Sequence, residues 1–200
     1  ESIGNKSIMR PTIFAFDVET TGLDPYDNEI LSIAMILLSS DFTEIASKVI
    51  YAFPTGSVDE RAASINGYTP DEWALRNAVS QDQLFTEVMS FVDTYSRLIP
   101  MGHNVKFDLA FLRTLFERNE AQQAFNRVWS YHALDTVSTT LLYDMVKFNA
   151  VSSKLSLSNT CERFGISLCN AHDALSDIQA TVELFRRQFN SLAGTEKAAS

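Results

Sequence analysis

The chain has 200 residues, of which 46% are hydrophobic, and it carries a formal net charge of −9. This length and apolar content suit one domain with a single sizeable core. The negative charge disfavours a protein that grips nucleic acid through an extended basic surface. It does not disfavour a metal-dependent enzyme, because carboxylates that hold divalent cations count as surplus negative charge until the metal binds.

Strand-like apolar segments separated by turn residues predict three strands early in the chain, at residues 12–19, 29–39 and 45–53. The short turns between them favour an antiparallel meander. Helices and strands then alternate, which indicates an α/β fold with a mixed sheet flanked by helices. The later predicted helices are 58–66, 70–77, 81–96, 105–118, 136–148, 157–164 and 173–192, and the later predicted strands are 98–101 and 128–134.

The organisation of the chain is simple. Residues 1–10 are expected to be a flexible leader, 11–192 the folded domain and 193–200 a frayed tail. No apolar run reaches the about 18–20 residues of a membrane span, so we expect no membrane partner. Cys161 and Cys169 lack the spacing of a metal site and are interpreted as thiols rather than as a disulfide. A cytoplasmic, reduced protein is the expectation.

The first candidate site lies in IFAFDVETTGLDP, where two acids interrupt an apolar strand. Residues i and i+2 of a strand share a face, so Asp17 and Glu19 project side by side. The opposite face holds Phe14, Phe16 and Val18. Two adjacent carboxylates repel each other unless a cation neutralises them. The alternative is that the strand ends at Asp17 and that both acids are solvated turn residues.

The second candidate site lies in GHNVKFDLAFL, on a predicted helix. Asp108 falls in line with the apolar stripe of Phe111, Leu112 and Leu115. An isolated buried carboxylate is costly, so an acid at that position needs a partner. The alternative is an acid placed near the helix start because the helix dipole favours it there.

The third candidate site lies in NAHDALSDIQATVELF, at the start of the last predicted helix. Asp177 flanks the apolar stripe of this helix, and His172 precedes it by five residues. A helix start disfavours imidazolium, so the ring should stay neutral and able to accept a proton. The alternative is a surface histidine and a solvent-facing acid. The stripe expected to be buried consists of Ile178, Val182, Phe185 and Phe189.

The three segments, with four acids and one histidine, suit a site for hard cations with a general base, and all-oxygen ligands favour Mg²⁺ or Mn²⁺ over zinc. The segments DVETTGLDP, GHNVKFDLAFL and HDALSDIQAT resemble, in order, the three motifs of the DEDDh family of 3′–5′ exonucleases. That family includes proofreading epsilon subunits of bacterial DNA polymerase III, oligoribonuclease and ribonuclease T. INGYTPDE and LDTVSTTLLY are also similar to family segments, so the resemblance extends over residues 11–189.

The resemblance implies a ribonuclease-H-like fold with a five-stranded mixed sheet and an exonuclease domain over residues 11–192. It implies two-metal phosphodiester hydrolysis with two divalent cations, Mg²⁺ or Mn²⁺. His172 would accept the proton of the attacking water. The implied metal ligands are Asp17, Glu19, Asp108 and Asp177, with Asp17 between the two cations.

The implied substrate is a single-stranded DNA or frayed 3′ end, from which nucleoside monophosphates are released. The alternative is an exoribonuclease that trims RNA 3′ ends or short oligoribonucleotides. Rival functions are a non-catalytic module that binds nucleic-acid ends and a phosphodiesterase for small nucleotides. A DNA polymerase is a candidate partner, and the oligomeric state stays open.

The resemblance also implies substrate contacts. Many proofreading members have histidine where this chain has Asn66, which bears on substrate preference rather than on activity. Leu23 and Phe107 would pack against terminal bases, with ordinary packing as the alternative. The residues expected to contact substrate are Thr21, Gly22, Leu23, Asn66, His103, Asn104 and Phe107, and for His103 and Asn104 the alternative is a structural role.

Overall fold

The computed structural model describes residues 12–168 and 173–194 of the chain. A five-stranded sheet with the order β3-β2-β1-β4-β5 forms its centre. β1–β2 and β2–β3 pair antiparallel, whereas β1–β4 and β4–β5 pair parallel, so the meander and the mixed sheet are confirmed. The strands are β1 (Ile13–Thr20), β2 (Ile30–Leu38), β3 (Glu44–Tyr51), β4 (Ile99–Gly102) and β5 (Leu134–Asp135).

Eight helices occur in the part of the chain that is described, and several begin where a side chain can cap the free N–H groups. Asp59, Thr69, Ser80, Asp135 and Asp173 each accept a hydrogen bond from the first turn of the helix that follows them. The helices are α1 (Glu60–Asn66), α2 (Pro70–Leu75), α3 (Gln81–Val92), α4 (Lys106–Arg118), α5 (Gln122–Val128), α6 (Thr136–Phe148), α7 (Leu157–Arg163) and α8 (Ala174–Leu192).

β1 is buried on both faces of the sheet, and this decides where its acids point. Phe14 and Phe16 belong to the larger apolar cluster, which they share with residues of α3, α4 and α5. Ile13 and Ala15 belong to a smaller cluster that they share with α8 residues such as Ile178. Because side chains alternate along a strand, the odd-numbered positions of β1 face α8. Positions 17 and 19 continue that face.

Two predictions about secondary structure and one about burial are wrong. The predicted strand at 128–134 is mostly absent: Val128 ends α5, which was not predicted, and only Leu134–Asp135 pair with β4. Trp129 forms only an isolated parallel bridge with Leu98, and its ring is buried against Phe14, Phe116 and Phe125. α3 ends at Val92 rather than near residue 96. Phe189, which was expected to be buried, is 53% exposed at the end of α8.

Some predictions fall outside the described residues. These are the leader at 1–10, most of the tail, Cys169 and His172. Cys161 is buried, and burial raises the pKa of its thiol to about 11, so it is protonated at neutral pH. Among the described residues no helix is both long and apolar enough to cross a membrane.

Candidate active site

The acids of the first and third segments meet at the end of β1. β1 continues to Thr20 and Glu19 pairs with Ser32 of β2, so the alternative in which the strand ends at Asp17 is wrong. Asp177 lies in the first turn of α8, which packs on the same face of the sheet. One carboxylate oxygen from each of Asp17, Glu19 and Asp177 lies within 4.8 Å of the others. Two neighbouring acids of β1 and one acid of α8, about 160 residues later in the chain, therefore form one cluster.

Asp108 reaches the same strand from α4. β4 pairs with β1 only as far as Met101 opposite Ala15, so the next part of β1 has no strand partner on that edge. There the Val18 N–H donates to Oδ1 of Asp108 at 3.0 Å. Asp108 is 4% exposed, as its place in the apolar stripe predicts. This hydrogen bond holds the fourth acid beside the other three.

Burial and mutual repulsion make the ionised form of these acids unfavourable. The pKa of Asp17 is well above its ordinary value, first because of burial and then because of the charges of Asp108 and Glu19. Burial, followed by the charge of Asp177, raises the pKa of Glu19 to about 8. Burial raises the pKa of Asp108 to about 7, although the Val18 N–H opposes the shift. Each carboxylate would ionise more easily with a cation beside it.

The chemistry of these donors fits divalent cations. None of Asp17, Glu19 and Asp108 forms an ion pair with a lysine, arginine or histidine in the described ranges. The donors are carboxylate oxygens throughout, which suits Mg²⁺ and Mn²⁺. A bound cation would offset the repulsion that raises the pKa values. The cluster is thus a candidate metal centre.

We expect the metal-free protein to lose stability as the pH rises from about 7 to about 8. In the unfolded chain Glu19 loses its proton near its ordinary pKa of 4.5, so it is ionised at pH 7. In the folded protein Glu19 keeps that proton until about pH 8. The folded state binds more protons in this window, so the free energy of unfolding falls with rising pH. Burial lowers the pKa of His103 below 6.5, so this residue makes the free energy of unfolding rise with pH. That rise is complete below pH 7, outside the window considered for Glu19. The measurement is the melting temperature in EDTA and in saturating Mn²⁺.

The added Mn²⁺ should raise the melting temperature more at pH 8.5 than at pH 7, because metal binding competes with protons for the same oxygens. Glu19→Gln is the matched control, since it removes the ionisable group without changing its size. In EDTA the melting temperature of this variant should depend less on pH than that of the wild type. A wild-type melting temperature that is as flat as that of Glu19→Gln would contradict the assigned electrostatics.

A network that the sequence did not reveal holds the start of α8. Asp173 caps this helix by accepting the N–H of Ser176 at 3.2 Å. Arg76 lies 3.7 Å from the carboxylate of Asp173 and donates to the Tyr51 hydroxyl at 2.7 Å. Its guanidinium also stacks over the Tyr51 ring at 4.9 Å. The network fixes the helix turn that carries Asp177 and the residue that directly follows His172.

An open cavity of about 690 Å³ adjoins Glu19. Leu23, which is 82% exposed, and Phe107 both line it. The other wall of the cavity is α1, from which Arg61 and Ile65 line it. Neither side chain stands out in the sequence, although the INGYTPDE segment that resembles the family begins near the end of this helix. The cavity is wide enough for a nucleotide beside the acids. Four residues expected to contact substrate line it: Gly22, Leu23, Asn66 and Phe107.

Other expected substrate residues are engaged within the protein. The Thr21 N–H donates to the Glu29 carbonyl at 2.9 Å, and the Thr21 carbonyl accepts the Asp59 N–H. Asn66 donates to the Thr20 carbonyl and accepts the Tyr68 N–H while also lining the cavity. These contacts shape the loop after β1, and direct binding of substrate by Thr21 and Asn66 stays a prediction.

His103 and Asn104 also have internal partners. His103 Nε2 lies 2.8 Å from the Leu155 carbonyl, which can only accept, so this nitrogen carries the proton. Nδ1 then accepts from the Thr136 hydroxyl at 2.8 Å. The Asn104 N–H donates to Asp135 at 3.0 Å. These contacts favour the structural alternative for His103, because both ring nitrogens are occupied.

Comparisons with known proteins agree on one family. The RNase_T model, described as an exonuclease, matches residues 14–185. Ribonuclease T of Shewanella denitrificans is 30% identical over 183 residues, covering 84% of this chain and 76% of that protein. A PolC-type DNA polymerase III of Thermotoga petrophila is 26% identical over 183 residues, which is 92% of this chain but 12% of the polymerase.

The fold is that of solved exonuclease I structures. One of them matches with a TM-score of 0.75 and 24% identity over 91% of this chain. The zinc-bound complex of Escherichia coli exonuclease I with single-stranded DNA matches with a TM-score of 0.77 and 24% identity. The chain spans about two fifths of the length of exonuclease I, 41% and 42% in these two structures. At this identity the likeness concerns the fold alone. Because the family model spans most of the chain and the ribonuclease T relative matches over most of its own length, the chain belongs to the RNase_T family of exonucleases.

Proposed function

We propose that this chain is a metal-dependent 3′–5′ exonuclease that releases nucleoside monophosphates from single-stranded DNA or frayed 3′ ends. The observation that supports it best is the cluster of Asp17, Glu19 and Asp177 beside an open cavity with apolar side chains at its mouth. Such a cavity suits one exposed strand end rather than a paired duplex. The domain that carries this activity would extend over residues 11–192.

The proposed mechanism assigns each chemical task to a side chain. Asp17, Glu19, Asp108 and Asp177 would hold two divalent cations, Mg²⁺ or Mn²⁺, and bound cations of this kind would lower the pKa of an attacking water and stabilise negative charge on the leaving 3′ oxygen. His172 accepts the proton of the attacking water. Leu23 and Phe107 contact the terminal bases and keep the scissile phosphate at the acids.

The second candidate function is an exoribonuclease that trims RNA 3′ ends. The ribonuclease T relatives favour it, since the one from Shewanella denitrificans is 30% identical and matches over 76% of its own length. Complexes of exonuclease I with dT13 and dA16 favour the DNA substrate, although those proteins share only the fold with this chain. The match to PolC-type polymerases makes a DNA polymerase a candidate partner.

The experiment that tests the proposal compares end-labelled single strands. DNA and RNA of one sequence, labelled at either the 3′ or the 5′ end, are incubated with Mg²⁺, Mn²⁺ or EDTA. We expect a 3′ label to be released as a mononucleotide at once and a 5′ label to persist in a shortening ladder. EDTA should stop both the release of the 3′ label and the shortening of the 5′-labelled strand. Release of the 5′ label first, or digestion in EDTA, would refute the proposed polarity or the metal requirement.

A further inference from the structure

A second groove, of about 250 Å³, lies beside the active-site cavity. It runs between the loop at residues 24–28 and the outer face of α4. Its charged lining residues are Lys106 and Arg113, and no acidic residue lines it. The whole chain has 16 basic and 25 acidic residues, so a groove lined by two basic side chains and no acidic one has a charge opposite to that of the protein as a whole. The groove is therefore suited to an anion.

Both basic side chains of the groove are exposed and available. Within the described residues neither Lys106 nor Arg113 forms an ion pair. The Arg113 guanidinium lies over the Phe125 ring at 4.5 Å, which fixes its position without neutralising its charge. An incoming phosphate would thus meet an oriented donor and would not have to displace a carboxylate.

The opposite wall of the groove is held in place. Arg118 donates to the carbonyl of Tyr26 at 2.8 Å, which ties the loop to the end of α4. The Tyr26 N–H donates to the Asp24 carboxylate at 2.9 Å. The Tyr26 side chain is nevertheless 71% exposed. A fixed backbone with an exposed ring is what a stacking platform for a base requires.

The groove adjoins the active-site cavity at two points. Lys106 lines the groove and the next residue, Phe107, lines the cavity. Pro25 lines the groove, and Leu23 and Asp24, the two residues before it, line the cavity. A strand whose 3′ end lies in the cavity must leave it on its 5′ side. The groove offers that strand a cationic path next to the cavity.

We propose that this groove binds the sugar-phosphate backbone of the single strand just 5′ of the nucleotides in the active site. Lys106 and Arg113 contact successive phosphates, and the Tyr26 ring stacks against a base. The inference rests on the proposed function and adds to it a binding site that lengthens the strand the protein holds. It also explains how an acidic protein can retain a polyanion at one end.

The test measures binding rather than hydrolysis, so that it stands apart from the test of the active site. Fluorescein-labelled dT12, rU12 and dT3 are titrated in EDTA and followed by fluorescence anisotropy. In Lys106→Gln/Arg113→Gln we expect affinity for the 12-mers to fall about 10-fold and affinity for dT3 to change less than twofold. The salt dependence of log K should weaken by about 1.4, because each phosphate contact on a single strand contributes about 0.7.

Two further variants separate the groove from a general effect of charge. Lys48→Gln/Arg97→Gln changes the net charge by the same amount. Lys48 lies on the edge strand β3, and Arg97 lies just before Leu98 and Ile99, at the end of the sheet opposite the end of β1 that carries Asp17. It should bind the 12-mers like the wild type. Tyr26→Ala should weaken 12-mer binding about 5–10-fold without altering the salt dependence. Equal weakening by both double variants, or 12-mer binding unchanged in Lys106→Gln/Arg113→Gln, would overturn the proposal whether or not the protein hydrolyses the strand.

Discussion

Asp17→Asn is expected to lower metal-dependent digestion of a single strand by on the order of 10³-fold or more while the protein stays folded. Asp17 belongs to the three-acid cluster, and burial followed by the charge of Asp108 raises its pKa. An amide keeps the size of the side chain but removes the charge that a cation needs. In EDTA the variant should melt at a higher temperature than the wild type, because a partly buried carboxylate that its acidic neighbours repel is gone. Turnover and melting temperature are measured on the same sample.

Asp144→Asn is the control for this substitution: Asp144 is buried at 2% exposure, whereas Asp17 is partly buried, and Asp144 has a cationic partner. Its carboxylate pairs with Arg163 and accepts the Ser152 N–H at 3.0 Å. Removing a paired charge should destabilise the protein by about 1–3 kcal/mol and leave the turnover of folded molecules unchanged. If Asp17→Asn also lowered stability in EDTA, or if it digested DNA at the wild-type rate, Asp17 would not be part of the metal centre.

His172→Ala is expected to slow turnover by about 10²–10⁴-fold while Mn²⁺ binding is retained. The reason is that this histidine is proposed to accept a proton and not to hold a cation. His172 lies outside the described residues, directly before Asp173, whose position is fixed by Arg76 and Tyr51. Isothermal titration with Mn²⁺ and the pH dependence of kcat are the measurements. The decline in kcat at low pH that a protonated base causes should disappear in the variant.

His132→Gln serves as the control for His172, because His132 is exposed and its ring lies against Tyr131 with the centroids 3.9 Å apart. It should leave both turnover and Mn²⁺ affinity as they are. Loss of Mn²⁺ binding in His172→Ala would show that the histidine is a ligand. Unchanged turnover in that variant would remove it from the mechanism.

The sheet was predictable where one local pattern was enough. β1, β2 and β3 follow from apolar segments separated by short turns, and α6 was predicted over the residues it occupies, Thr136–Phe148. Residues 128–134 were misassigned because Val128 and Trp129 look like a strand on hydrophobicity alone. The Trp129 ring is buried by packing against Phe14 of β1 and Phe116 of α4, which a local pattern does not encode. Tertiary contacts override propensity at such positions.

The candidate site was predictable in part for a similar reason. Asp17, Glu19 and Asp108 each stand out because an acid occupies a position where the local pattern is apolar, and the structure brings them together with Asp177. Arg76 and Tyr51 did not stand out, since an arginine after a short helix and a tyrosine in an edge strand are ordinary. Their contact with Asp173 joins residues far apart in sequence, so only the folded chain reveals it.

The apolar clusters on the two faces of the sheet differ in size, and this difference affects which helix unfolds locally first. Asp108 is carried by α4 in the more extensive cluster, whereas Asp177 is carried by α8, whose cluster among the described residues is smaller. Amide protons in α8 should therefore exchange with deuterium sooner than those in α4 when no cation is bound. A cation that joins the two layers would act as a cross-link, and protection in α8 would then report occupancy without any substrate present.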